Sequence, residues 1–166
     1  SNANSNPWSV TEETYGGMSS KVIKLKNTNG DSNTSSNTFF YNNKFFANNV
    51  TATARIQGNP VSSQGAVGIV GRMASSSLYY LLTMKNGSLE IHKRSTGSSG
   101  NVVLASTAIP GFKPSSYYKL TFTIHGTTLI GSVEGGPTLK VTDNDSVLTE
   151  ASTTATMVGL NGTKEM

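Results

Sequence analysis

The residues able to do chemistry are few in this chain: nine acidic side chains, two imidazoles and no thiol among 166 residues. Cleaving a glycosidic bond takes two carboxyl groups about 5–9 Å apart, one to donate a proton and one to act as nucleophile or base. Glu12 and Glu13 are adjacent and project to opposite faces of a strand. Glu90 and Glu134 each stand alone on their strands, and Asp143 and Asp145 lie in a turn-like Asp-Asn-Asp-Ser. No catalytic pair emerges. Neither His92 nor His125 has a serine in a Gly-x-Ser-x-Gly elbow to activate. A histidine on a strand is ordinarily a surface residue or a hydrogen-bonding partner. Phosphate-loop patterns are absent, and the glycines fall in strands and turns, where they relieve backbone crowding. Asp143 and Asp145 could offer oxygen ligands to calcium, the one cofactor that suits these residues. That cation takes six to eight oxygens. Asp and Asn are also ordinary turn formers, and the turn reading is favoured because no further carboxylates cluster beside them.

One binding constellation follows from hairpin arithmetic. Asn86-Gly87 is a strong two-residue hairpin signal, and such a loop sets the register of the strands it joins. Lys85 then faces Ser88, Met84 faces Leu89 and Leu82 faces Ile91, the apolar pairs belonging to the core. The other face holds Thr83 with Glu90, Leu81 with His92 and Tyr79 with Arg94. On the preceding strand, Val67 and Ile69 suit the core, which leaves Gly68, Val70 and Arg72 on the face of Tyr79. Arg72, Tyr79, His92 and Arg94 therefore form a candidate polar and aromatic ligand site. Its ring could stack on a sugar, and its two guanidinium forks suit the carboxylate of an acidic sugar.

The elements that must position these groups are short strands. Alternation or apolar runs predict strands from Trp8, over Lys21–Lys26, over Thr38–Tyr41 and Phe45-Phe46, and over Val50–Ile56. They continue over Gly65–Arg72, Leu78–Met84, Leu89–Arg94, Val102–Ser106, Tyr117–His125, Leu129–Glu134, Thr138–Val141 and Ala155–Leu160. In the doublets Phe39-Phe40, Phe45-Phe46 and Tyr117-Tyr118, one ring points in and one out. Asn27–Asn37 reads as a polar loop, and turns follow at His125-Gly126 and Gly135-Gly136-Pro137. No segment holds a 3.6-residue period over a dozen residues. The pattern predicts an all-β, two-sheet antiparallel sandwich of jelly-roll type.

Composition agrees. Charged residues make up 13% of the chain, while Gly, Ser, Thr and Asn are abundant, as in many extracellular all-β proteins. The net charge of +4 is scattered, with no basic run longer than Lys93-Arg94, so the concentrated footprint of a nucleic-acid binder is missing. No run of about 18 apolar residues signals a membrane span. Ser1-Asn2-Ala3 reads as the remnant of a cleaved tag, leaving residues 4–166 as one domain of sandwich size.

The order of pieces from Asn49 to Leu160 resembles the concanavalin A-like lectin/glucanase superfamily, especially its laminin G-like and bacterial carbohydrate-binding members. The resemblance is carried by Gly65-Ala-Val-Gly-Ile-Val-Gly-Arg72, Leu78-Tyr-Tyr-Leu-Leu82 and the hairpin Asn86-Gly-Ser-Leu-Glu-Ile-His-Lys93. It continues through Tyr118-Lys-Leu-Thr-Phe-Thr-Ile-His-Gly126, Val133-Glu-Gly135, Leu139-Lys-Val-Thr-Asp143 and Val158-Gly-Leu160. The chain departs from the family in two ways: it lacks the usual closing acidic strand, and it has no obvious pair of acidic groups to hold structural calcium. The resemblance implies a non-catalytic carbohydrate-binding module of a larger secreted or cell-surface bacterial protein, often a glycoside hydrolase or polysaccharide lyase. Its partner would be a polysaccharide or glycan. A structural or adhesive protein-interaction module is the alternative, and a divergent glycoside hydrolase the second alternative.

Overall fold

A computed structural model describes residues 8–15, 17–25, 38–46, 49–57, 67–75, 78–95, 100–114, 116–144 and 157–162. They form twelve strands: β1 (Trp8–Tyr15), β2 (Met18–Leu25), β3 (Thr38–Phe46), β4 (Val50–Gln57), β5 (Val67–Ser75), β6 (Leu78–Lys85), β7 (Ser88–Arg94), β8 (Asn101–Ala108), β9 (Tyr117–His125), β10 (Thr128–Val133), β11 (Thr138–Thr142) and β12 (Met157–Gly162). Among the described residues there is no helix, and so none long and apolar enough to cross a membrane. The expected Asn27–Asn37 loop and the Ser1-Asn2-Ala3 remnant lie outside the described residues.

Every strand pairing is antiparallel. β1 and β2 form a hairpin, β11-β10-β9-β4 a four-stranded sheet, and β3-β12-β5-β6-β7-β8 a six-stranded sheet. The expected break at Asn42-Asn43 is absent, because β3 runs unbroken through it. The pairing absorbs the extra length instead, passing from Tyr41 opposite Gly159 to Phe46 opposite Met157 across an irregularity. The Phe39-Phe40 and Phe45-Phe46 rings fall outside what the structure describes.

The hairpin obeys its turn. Asn86 (φ 50°) and Gly87 (φ 76°) both take the positive φ of a type I′ turn, whose twist matches the strands it joins. The register that follows, Lys85–Ser88 through Tyr79–Arg94, is the one the turn predicts. Leu82, Met84, Leu89 and Ile91 consequently enter the core with Ile69 and Tyr80 of the same sheet. Leu120, Phe122, Ile124, Leu129, Val133 and Leu139 meet them from the four-stranded sheet. Tyr118 packs half-buried at the rim of this core and stacks on Phe112, with centroids 5.3 Å apart.

Two glycines let the sheets interlock. A Cβ on Gly71 of the six-stranded sheet would strike the Cδ1 of Ile124, and one on Gly131 of the four-stranded sheet would strike the Cδ1 of Leu82. Each sheet thus offers a gap that a branched side chain of the other fills, which is how interiors reach close packing.

A second apolar cluster covers part of the other face of the six-stranded sheet: Val70, Met73, Tyr79 and Leu81 are all buried. Tyr79 is only 2% exposed, so the ring expected on an open surface is enclosed.

Candidate functional site

Register assembles the outer face of the six-stranded sheet row by row. Gly68, Thr83, Glu90 and Ser106 form one row across β5 to β8; Val70, Leu81, His92 and Val103 form the next; Tyr79, Arg94 and Asn101 the third. Tyr79, His92 and Arg94 are therefore neighbours, as the hairpin arithmetic requires. Arg72 is not the fourth member. Regular alternation would set it beside Tyr79, but the β5–β6 pairing is irregular between Gly71 and Ser75, and Arg72 takes φ 47° there. Met73 packs against Tyr79 instead. Arg72 is 1% exposed, and burial lowers its pKa while the charge interaction with Tyr80, on the opposite face of β6, raises it. A left-handed residue at a bulge re-aims its side chain, which strand periodicity does not anticipate.

His92 is the centre of what remains. Its Nε2 lies 2.6 Å from Glu90 Oε2 and its Nδ1 3.1 Å from Asn101 Oδ1. Glu90 sits two residues before it on the same strand face; Asn101 reaches it diagonally from β8. Both ring nitrogens are thus engaged, and the imidazole is held in a single orientation. Thr83 beneath them is fully buried and donates its hydroxyl to the Val67 carbonyl at 2.9 Å. Arg94 is half-buried and has no carboxylate in ion-pair reach among the described residues. Its charge acts on Tyr79, whose phenol pKa is raised by burial and drawn back down by Arg94.

A second polar cluster ties the two sheets together. Tyr80 and Lys93 are register partners on β6 and β7; the Tyr80 hydroxyl donates to Asp143 Oδ2 at 2.8 Å, and Lys93 Nζ lies 2.9 Å from the same oxygen. Asp143 follows β11 of the other sheet, where its N–H donates to the Thr127 carbonyl. The carboxylate considered for calcium is thus already engaged by an ammonium and a phenol. Asp145 lies outside the described residues, and among those described no three acidic or imidazole side chains gather as a metal would need.

The remaining described carboxylates are dispersed. Glu134 pairs with Lys119 at 2.7 Å, and that hydrogen bond and charge lower its pKa. Glu12 accepts from Ser19 on the hairpin. The outer face of the four-stranded sheet is hydroxyl-rich: Thr51 meets Thr123 at 3.0 Å, and Thr53 meets Thr121 at 3.2 Å.

Alternation placed His92 and Glu90 on one face, but it did not give the contacts that His92 makes. Glu90 was legible, since residues i and i+2 share a strand face. Asn101 and the Tyr80–Lys93–Asp143 cluster were not, because they depend on pairings between strands far apart in the chain.

No protein-family model matches the chain, and comparison with curated protein sequences finds no match. Solved structures do resemble it. The carbohydrate binding module CBM66 from Bacillus subtilis superposes with a TM-score of 0.59 at 14% identity, over 95% of this chain and 88% of that one. A GH43_12 protein retrieved from capybara gut metagenome gives 0.52 at 16% identity, over 69% of this chain and 25% of that one. Sheep galectin-11, in complex with glycerol, gives 0.50 at 9% identity, over 76% and 88%. The likeness shows the fold alone: this chain is an antiparallel β-sandwich of the kind these proteins share.

Proposed function

We propose that the chain is a non-catalytic carbohydrate-binding module of a larger secreted or surface bacterial protein, where it holds a glycoside hydrolase or polysaccharide lyase against its polysaccharide. The observation that carries this reading is the Glu90–His92–Asn101 triplet beside Arg94 on the outer face of the six-stranded sheet. Sugars are recognised by planar polar groups held in fixed orientation, because ordering them on binding would cost affinity. The imidazole is itself buried, and it braces the half-buried Glu90 and the exposed Asn101 in place before any ligand arrives. Val103, 50% exposed next to His92, adds an apolar surface for a sugar's C–H face. The folds shared with a carbohydrate binding module and a galectin support the same reading. So does the arrangement of acids: Glu90 is bound to an imidazole, while Glu134 and Asp143 are each held by a lysine on other elements. Hydrolysis needs two carboxyl groups facing one bond.

A structural or adhesive role is the second reading, favoured by the enclosure of Tyr79 and by the ring-poor threonine face of the four-stranded sheet. One experiment separates the two. The purified domain is screened on a glycan array that includes acidic polysaccharides, and a hit is titrated calorimetrically against His92→Ala and Asn101→Ala. Removing such hydrogen bonds should weaken binding about 5- to 100-fold, equivalent to about 1–3 kcal/mol. An array without hits supports the structural role, and reducing ends released from soluble β-glucan or pectin would revive the hydrolase.

A further inference from the structure

The strand β8 forms one edge of the six-stranded sheet. Its sequence, Asn-Val-Val-Leu-Ala-Ser-Thr-Ala, contains neither a charge nor a proline. Charge and proline are two of the devices that stop an edge from pairing with another chain; a bulge is a third, and β8 carries only that one. The other edges of the two large sheets each carry a charge: Lys44 in β3, Arg55 in β4 and Lys140 in β11. β8 also holds two of the three exposed large hydrophobic residues among those described, Val102 at 40% and Val103 at 50%.

The order in which β8 presents its side chains is symmetric. Asn101, Val103, Ser106 and Ala108 stand opposite Arg94, His92, Glu90 and Ser88 on the outer face. Val102, Ala105 and Thr107 stand opposite Lys93, Ile91 and Leu89 on the core side. Leu104 is the extra residue of a bulge between the Ile91 and His92 pairings, and it also packs toward the core. Read along the strand, the faces run out, in, out, in, in, out, in, out. The sequence of faces is the same in both directions about the Leu104–Ala105 bond. An unbulged strand paired with itself about a peptide bond would set every outward residue against an inward one. The bulge removes that conflict.

We propose that β8 is a self-association edge, at which two copies of this chain pair antiparallel about a two-fold axis through the Leu104–Ala105 bond. Val103 then lies opposite the partner's Ser106, and Val102 opposite the partner's Thr107. The edge N–H and C=O groups gain partners, the exposed valines are covered on one flank while the sheet face stays open, and one sheet runs through both copies with six strands from each. The assembly stands independently of the glycan reading. If both hold, the two His92 sites face the same side of one sheet and bind an extended polysaccharide bivalently.

Light scattering over a concentration series should give a mass twice the 17.5 kDa of one chain. Val103→Lys places a charge at an already exposed position, so the variant should melt as a folded protein and show only the single-chain mass. The chain has no cysteine, so introduced thiols report register directly. The double variant Val103→Cys/Ser106→Cys should form intermolecular disulfides on mild oxidation, because directly opposed residues lie within about 5.5 Å. Val102→Cys/Ser106→Cys, whose thiols point to opposite faces, should not. A single-chain mass for the unmodified protein at every concentration overturns the proposal. So does a dimer that survives Val103→Lys, or cross-linking confined to the Val102→Cys/Ser106→Cys variant.

Discussion

Tyr79 shows how far one residue's role depends on its cover. By register it lies in the candidate site, yet its ring packs with Val70, Met73 and Leu81. Tyr79→Ala should therefore cost about 3–5 kcal/mol of folding stability, the range for deleting a buried ring, measured by urea denaturation. The same burial raises the phenol pKa, with Arg94 working against it. The folded value lies above the unfolded one. This contribution to stability is therefore complete below the unfolded phenol pKa of about 10 and is lost as pH climbs through the folded value. Arg94→Gln removes the opposing charge, so tyrosinate absorbance should appear at still higher pH. An unchanged titration would separate Arg94 from the ring.

At the scale of the element, glycine decides how closely strands approach. A Cβ on Gly68 would run into the Leu82 carbonyl and lie 2.8 Å from its carbon and 2.9 Å from Thr83 Cα. Those are backbone atoms of β6, so relief means moving β5 away from it. At Gly131 the obstacle is the Leu82 side chain, whose methyls can turn aside. Gly68→Ala should therefore cost about 3 kcal/mol, and Gly131→Ala nearer 1 kcal/mol. Urea midpoints in the reverse order would show that β5 and β6 yield more easily than the core does. The Asn86-Gly87 turn behaves differently: its two positive φ angles were legible from the dipeptide, and the hairpin's face assignments followed from them.

For the whole molecule, the Tyr80–Lys93–Asp143 cluster is a polar clasp between the two sheets. Lys93 and Asp143 have only 11% and 12% of their side chains exposed, so losing one partner leaves the other's charge poorly solvated. A double-mutant cycle on Lys93→Ala and Asp143→Ala should give a coupling of about 1–3 kcal/mol. Additive losses would mean that apolar packing alone aligns the sheets. The clasp is absent from any local sequence pattern, because Asp143 lies fifty residues beyond Lys93 and only sheet stacking brings them together.

Local rules carried most of the architecture. The side-chain period of two, the turn residues and the lack of a helical period determine an antiparallel sandwich, and Asn86-Gly87 determines which faces of β6 and β7 meet the core. These are nearest-neighbour properties of the chain, written wherever the residues are. The site was only half legible. His92 and Arg94 share a face by alternation, but Arg72 leaves it through a bulge with a left-handed backbone, and Asn101 enters it from a strand expected to begin one residue later. Tyr79 is enclosed although nothing in its own strand distinguishes an enclosed face from an open one. Alternation says which side a residue takes; only the packed tertiary structure decides what lies over that side, because burial is set by segments remote in sequence.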